Sequence, residues 1–167
     1  VFLDFHVRLG LYNDRWDSVL AQRMVGGFVG ADAHQNVLPM PFGDGDRPDS
    51  YRRMSKWYSN HLLVTERTPA QAREAIGSGR MYMVFEVLGS PKGFDFWAER
   101  DGQSTLMGQT VDSGGQPTSV RLRATLPQAV LHEDAVDVPV TARLYRIQEG
   151  ATQAEMILET DADIDIE

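Results

Sequence analysis

Asp32 and His34, in Gly30-Ala31-Asp32-Ala33-His34, are the residues best suited by type and spacing to do chemistry. On an extended strand, residues i and i+2 point to the same side, so a carboxylate oxygen and an imidazole nitrogen can converge on one ion. On a helix the same pair splays apart. An imidazole with a carboxylate suits Zn, Mn or Fe better than Ca or Mg. Residues 25–30 are apolar and Gly-rich and read as a buried strand that ends at the pair. Gly26, Gly27 and Gly30 leave room for neighbouring backbone or a ligand. In α/β folds, sites gather at the C-terminal ends of strands. The plainer alternative is a strand-end Asp and His bonded to each other or to backbone, because short metal motifs match often by chance.

Other residues invite the same question. Asp4 and His6 repeat the Asp-x-His spacing on the even face of residues 1–9, whose odd positions are apolar, and are weaker metal candidates. A half-exposed strand with Arg8 continuing its polar side explains them more simply. His61 opens an apolar run and reads as a hydrogen-bonded structural histidine. His132, beside Glu133 and Asp134, reads as part of a solvated loop. Arg80 follows Gly79 at the start of a strand and is either a phosphate contact or half of a structural ion pair. Asp44, Asp46 and Asp49 form an acidic loop without the Gly and Glu spacing of a calcium loop. Asp161, Asp163 and Asp165 alternate with Ala162, Ile164 and Ile166, the pattern of a half-buried strand with an acidic outer face. Met81, Met83 and Phe85 are core candidates. The sequence contains neither a Gly-rich phosphate loop nor a local Ser-His-Asp signature.

The elements that must position these residues change character near Gly89-Ser90-Pro91-Lys92-Gly93. Before it, strands over 1–9, 25–30, 61–64 and 81–88 alternate with helices, an α/β order. Asn13 or Asp14 can cap a short helix that carries Trp16 and Leu20 on one face. Thr68-Pro69-Ala70-Gln71 starts a second helix, with a capping Thr and Pro in the first turn, and Gly77 or Gly79 stops it. After residue 93 the helical patterns fade. Residues 94–98, 119–126, 136–147, 156–158 and 162–166 read as strands, and Asp101-Gly102 as a hairpin turn. Residues 1–90 and 91–167 are therefore expected as an α/β unit and an acidic, all-β, sandwich-like module. The loop over 39–50 directly follows the Asp-x-His segment, and loops of that length are often functional.

Composition limits the function classes. The chain has 167 residues, 42% hydrophobic and 24% charged, a globular composition with a real core. It has no cysteine, which excludes disulfides and thiolate metal sites but leaves the compartment open. Residues 1–90 carry 10 basic and 10 acidic side chains, so the whole net charge of −8 falls on residues 91–167. Neither part has the basic excess of a nucleic-acid binder, and no apolar run is long enough to span a membrane.

Gly30-Ala31-Asp32-Ala33-His34, ending a strand before a long loop, resembles the last metal-binding motif of the PHP (polymerase and histidinol phosphatase) family of phosphoesterases. His61-Leu62-Leu63-Val64, the helix after it, Ala75-Ile76-Gly77-Ser78-Gly79-Arg80 and Met81-Tyr82-Met83-Val84 resemble the family too. The similarity covers residues 12–90. It implies a distorted (βα) barrel, a cluster of divalent metals, and hydrolysis of a small phosphorylated substrate by a metal-activated water. Some relatives carry a β-rich module after the barrel, as Phe94-Asp95-Phe96-Trp97-Ala98 onward suggests here. The family pattern also requires a paired-His motif, and the four histidines here form no His-x-His. Ninety residues hold about three barrel units of about 30 residues. The expectation is therefore the C-terminal portion of a PHP-type barrel followed by an all-β module, inactive on its own. Unpaired strand edges then favour association into a homo-oligomer, or poor order near residues 1–9. The competing expectation is a non-catalytic binding or scaffolding module with a degenerate metal site.

Overall fold

The computed structural model describes residues 10–34, 37–87, 89–112, 114, 120–125, 128–130 and 141–167. Residues 1–9, with Asp4 and His6, and residues 131–140, with His132, lie outside the described residues. Among the described residues three helices precede or interrupt ten strands: α1 (Gly10–Leu20), α2 (Tyr51–Met54) and α3 (Pro69–Ser78). The strands follow in chain order: β1 (Ser59–Leu62), β2 (Met81–Val84), β3 (Ser90–Lys92), β4 (Asp95–Arg100), β5 (Gln103–Leu106), β6 (Arg121–Thr125), β7 (Gln128–Val130), β8 (Ala142–Arg146), β9 (Glu155–Thr160) and β10 (Ile164–Ile166).

Every strand pairing among the described residues is antiparallel. This overturns the expected α/β barrel, which is a ring of parallel strands. The reason is visible at α3. Thr68 caps it by accepting the Gln71 N–H at 3.2 Å, with Pro69 in its first turn. Gly79 closes it in the left-handed region at φ 71°. That turn sends the chain straight back onto β1: the Leu63 N–H donates to the Arg80 carbonyl at 2.9 Å, and β2 pairs antiparallel with β1 from Leu62↔Met81 to Ser59↔Val84. The helix is an insertion in the connection of a hairpin. The connection over 63–80 is long enough for a parallel crossover; the direction in which the left-handed Gly79 releases the chain, rather than its length, makes the pair antiparallel.

The segment before β1 also departs from expectation. Residues 24–34 have no regular secondary structure and belong to no sheet, and Met24 and Phe28 are exposed. α1 starts at Gly10, so Asp14 lies inside it, its carbonyl accepting the Ser18 hydroxyl at 2.8 Å. The propensity cost of Asp within a helix is a few tenths of a kcal/mol, too small to set the boundary.

From β3 onward the described chain holds strands only. β10-β6-β4-β5 form a four-stranded sheet; β3 pairs with β7, and β8 with β9. Asp101 and Gly102 both have positive φ, 50° and 76°, the signature of a tight primed turn between β4 and β5. One face of the sheet buries Ala124 and Ile164; the other carries Trp97, Glu99, Arg121, Arg123 and Asp165. Arg123 lies over the Trp97 ring at 5.3 Å, and Arg121 pairs with Asp165. The buried apolar set among the described residues is small: Ala21, Met54, Ala75, Met81, Val84, Ala124 and Ile164.

Two contacts tie distant chain segments together. The Asp17 carboxylate in α1 accepts the Ala154 N–H before β9 at 2.8 Å. The turn after β5 packs on the end of α3 so closely that a Cβ on Gly108 would lie 2.5 Å from the Gly79 carbonyl.

Candidate functional site

The arm over residues 24–34 is positioned by small residues and one side chain. A Cβ on Gly26 would stand 3.2 Å from Met81 Sδ, and one on Gly27 3.0 Å from Met83 Cε, so both glycines let the arm lie against β2. The Asn60 side chain, on β1, then grips the arm at Val29. Its Oδ1 accepts the Val29 N–H at 2.9 Å and its Nδ2 donates to the Val29 carbonyl at 2.8 Å. One amide thus makes both bonds that a neighbouring strand residue would make.

Asp32 and His34 lie just beyond this grip. They do not sit on a regular strand, because Asp32 has φ 50°. Asp is among the few residues that enter the left-handed region at modest cost. The pair converges all the same: His34 Nε2 and Asp32 Oδ1 are 3.1 Å apart, with the side chains 57% and 92% exposed. Two donors about 2.0–2.2 Å from one ion stand about 3.3–3.6 Å apart on tetrahedral Zn and about 2.8–3.1 Å apart at adjacent octahedral positions, so 3.1 Å suits an octahedral ion as well as the pair's own hydrogen bond. Gly30 opens on free space, with nothing within 4 Å of where a Cβ would be. Among the described residues no third His, Cys, Asp or Glu joins the pair in a metal-sized cluster. The donors fit as part of a centre.

The following loop is held from inside. Asp49, buried, accepts the Val37 and Leu38 N–H groups at 2.7 and 2.9 Å. Those bonds, with the Arg47 charge, hold its carboxyl below the ordinary carboxylate range. Asp46 is lowered by the Ser50 hydroxyl and then by Arg52, and Asp44 by the Asp46 N–H and then by Arg53. Each acid of this loop is thus matched to arginine and backbone donors, which accounts for the three aspartates without a cation. The same framework presents Val37, Leu38, Met40 and Phe42 to solvent, Met40 at 77% exposure.

Arg80 is 17% exposed and commits its guanidinium to Glu74 at 2.8 Å and to the Ser78 hydroxyl at 3.1 Å. His61 stands in a hydrogen-bond chain on the face of β1–β2 opposite Asn60. Its ring stacks on Tyr82 with centroids 4.8 Å apart. Its Nε2 is 2.9 Å from Ser59 Oγ, and its Nδ1 3.2 Å from the Tyr82 hydroxyl. Ser59 donates to Glu86 at 2.6 Å. A carboxylate takes the serine proton, so Ser59 Oγ accepts from Nε2–H and Nδ1 accepts from the phenol. Burial, then Glu86 and Asp95, push the Tyr82 hydroxyl above its ordinary 10.0. Sequence reasoning found His61 and missed Ser59, Tyr82 and Glu86. The Ser-x-His spacing was a legible signal; the cross-strand partners were not.

A polar cleft of about 410 Å³ lies by the β4–β5 turn, with Arg100, Gln103, Thr105 and Thr110 in its wall. Arg100 is occupied there by the Asp112 carbonyl and by Asp101. Among the described residues no helix is long and apolar enough to cross a membrane. In comparisons with known proteins, no family model, no curated protein and no solved structure matches this chain.

Proposed function

We propose that Asp32 and His34 are two ligands of a divalent-metal centre in a hydrolase of phosphate esters, the remaining ligands coming from outside the described residues. The observation that carries this reading is the convergence of Asp32 Oδ1 and His34 Nε2 to 3.1 Å on an open surface, with no bond to any other side chain among the described residues. The likeness of residues 12–90 to PHP phosphoesterases supplies the reaction class. A bound Zn, Mn or Fe ion would contribute Lewis acidity toward a phosphoryl oxygen and acidify water at neutral pH. The chain's own part is to hold the ion: a carboxylate to offset its charge, a neutral imidazole as borderline donor, and an arm fixed by its glycines and Asn60. Arg80 is engaged by Glu74 and is left out of the proposed site.

Two ligands are tested by binding rather than by turnover. Titration calorimetry with Mn or Zn is expected to show one site per chain, lost in Asp32→Ala and in His34→Ala. Equal stoichiometry and affinity in both variants sinks the reading. The hydrogen-bonded loop that displays Met40 and Phe42 favours a second reading, a non-catalytic binding module. Absence of any metal site in the parent chain would leave that one standing.

A further inference from the structure

Among the described residues, the sheet side chain that hydrogen-bonds the arm carrying Asp32 and His34 is Asn60. The described part of the arm pairs with no strand. Its glycines allow close approach to β2 but supply no bond that fixes its position along the strand direction. The Asn60 amide does, with two bonds of 2.9 and 2.8 Å to the N–H and carbonyl of the same residue, Val29. Val29 is three residues before Asp32, and the chain spans at most about 3.3–3.6 Å per residue. The Val29 Cα therefore lies within about 11 Å of the Asp32 Cα, along a single covalent path.

We propose that Asn60 is a positioning residue for the Asp32/His34 donor pair, the group that fixes the arm on β1 and with it where the pair stands over the sheet. The inference rests on the metal reading above. Asn is the residue type the task requires. Val29 presents one donor and one acceptor, and only a carboxamide of this length answers both at once. Asp keeps the shape and loses the donor, setting a carboxylate oxygen against the Val29 carbonyl. Partner groups around metal ligands commonly change affinity about 10–100-fold when removed. Donor geometry also has to hold within about 0.5 Å.

The test compares Asn60→Asp and Asn60→Ala with His61→Gln, which disturbs the opposite face of the same strand and leaves the grip intact. Three quantities are read in the isolated chain: the Mn dissociation constant by calorimetry and, by NMR without metal, the His34 ring resonances and the Val29 amide exchange rate. Expected for both Asn60 variants are metal binding weaker by about tenfold or more, a shifted His34 ring and faster exchange at Val29. His61→Gln is expected to leave all three near wild type. The proposal is overturned if the Asn60 variants keep the wild-type His34 resonances and metal affinity, or if His61→Gln produces the same changes. If the wild-type chain binds no Mn, the metal reading falls by itself. The metal-free resonances then still decide whether Asn60 sets the position of His34.

Discussion

Replacing Tyr82 by Phe isolates one hydrogen bond of the Ser59–His61–Tyr82–Glu86 chain, with an effect that shrinks at high pH. The ring remains, so its stacking on His61 and its edge contact with Phe94, centroids 5.1 Å apart, are kept. What is lost is the phenol that donates to His61 Nδ1 at 3.2 Å. A hydrogen bond of this kind is worth about 0.5–1.5 kcal/mol net. The His61 side chain is 39% exposed, so water reaches it and the lower half of that range applies. At pH 7 the variant is expected to be less stable by about 0.5–1 kcal/mol, a fall in Tm of roughly 1–4 °C for a chain of this size. Above pH 10 the difference is expected to shrink. The phenol titrates higher in the folded chain than its ordinary 10.0, chiefly because it is buried. The unfolded chain then loses that proton first, and wild-type stability falls as pH rises through the interval between the two values. Tyr82→Phe has no such component, so the gap narrows. Urea denaturation followed by circular dichroism at pH 7 and between pH 10 and 11 reads both effects. Nitrogen NMR of His61 should show the Nε2–H tautomer in the wild type. A gap that stays constant up to pH 11, or a dominant Nδ1–H tautomer, refutes the reasoning.

Gly108→Ala is expected to destabilise by roughly 2–5 kcal/mol, joining the cost of a left-handed alanine to overlap with the Gly79 backbone. Gly102→Ala, at nearly the same φ but with open space around it, should cost only about 1–2 kcal/mol. Equal losses in thermal melts of the two would show that the close approach at Gly108 is not formed. Acid should weaken the loop around α2. The carboxyls of Asp44, Asp46 and Asp49 titrate below the ordinary 3.8, so their stabilisation is complete above that value and lost as pH falls through their lower folded values. Asp49→Asn should flatten this acid limb, and an unchanged limb in acid titration followed by fluorescence would contradict the assigned role.

Sequence alone determined the features that short-range chemistry decides. Thr68, Pro69 and Gly79 bound α3 because capping and left-handed closure act within a few residues. Asp101-Gly102 made its turn because those residues accept positive φ. The alternation of Ile164 and Ile166 with Asp165 marked β10, since side chains on a strand change sides at each residue. Asp32 and His34 were legible as a donor pair from type and spacing. Their convergence nevertheless comes from a left-handed Asp32 rather than from a strand. Tertiary structure decided everything that depends on which segments meet. Whether β1 and β2 run parallel or antiparallel turns on where the chain goes after Gly79, and pairing across 18 residues of intervening loop and helix leaves no local periodic mark. An apolar run such as 25–30 looks alike inside a sheet or beside one. Only the approach of β1 gave it Asn60 as a partner in place of a strand. Ser59, His61, Tyr82 and Glu86 likewise became one hydrogen-bond chain only when register set His61 opposite Tyr82. Caps, turns and alternation are written into neighbouring residues; register and strand direction are long-range choices, made by the energy of the whole contact set.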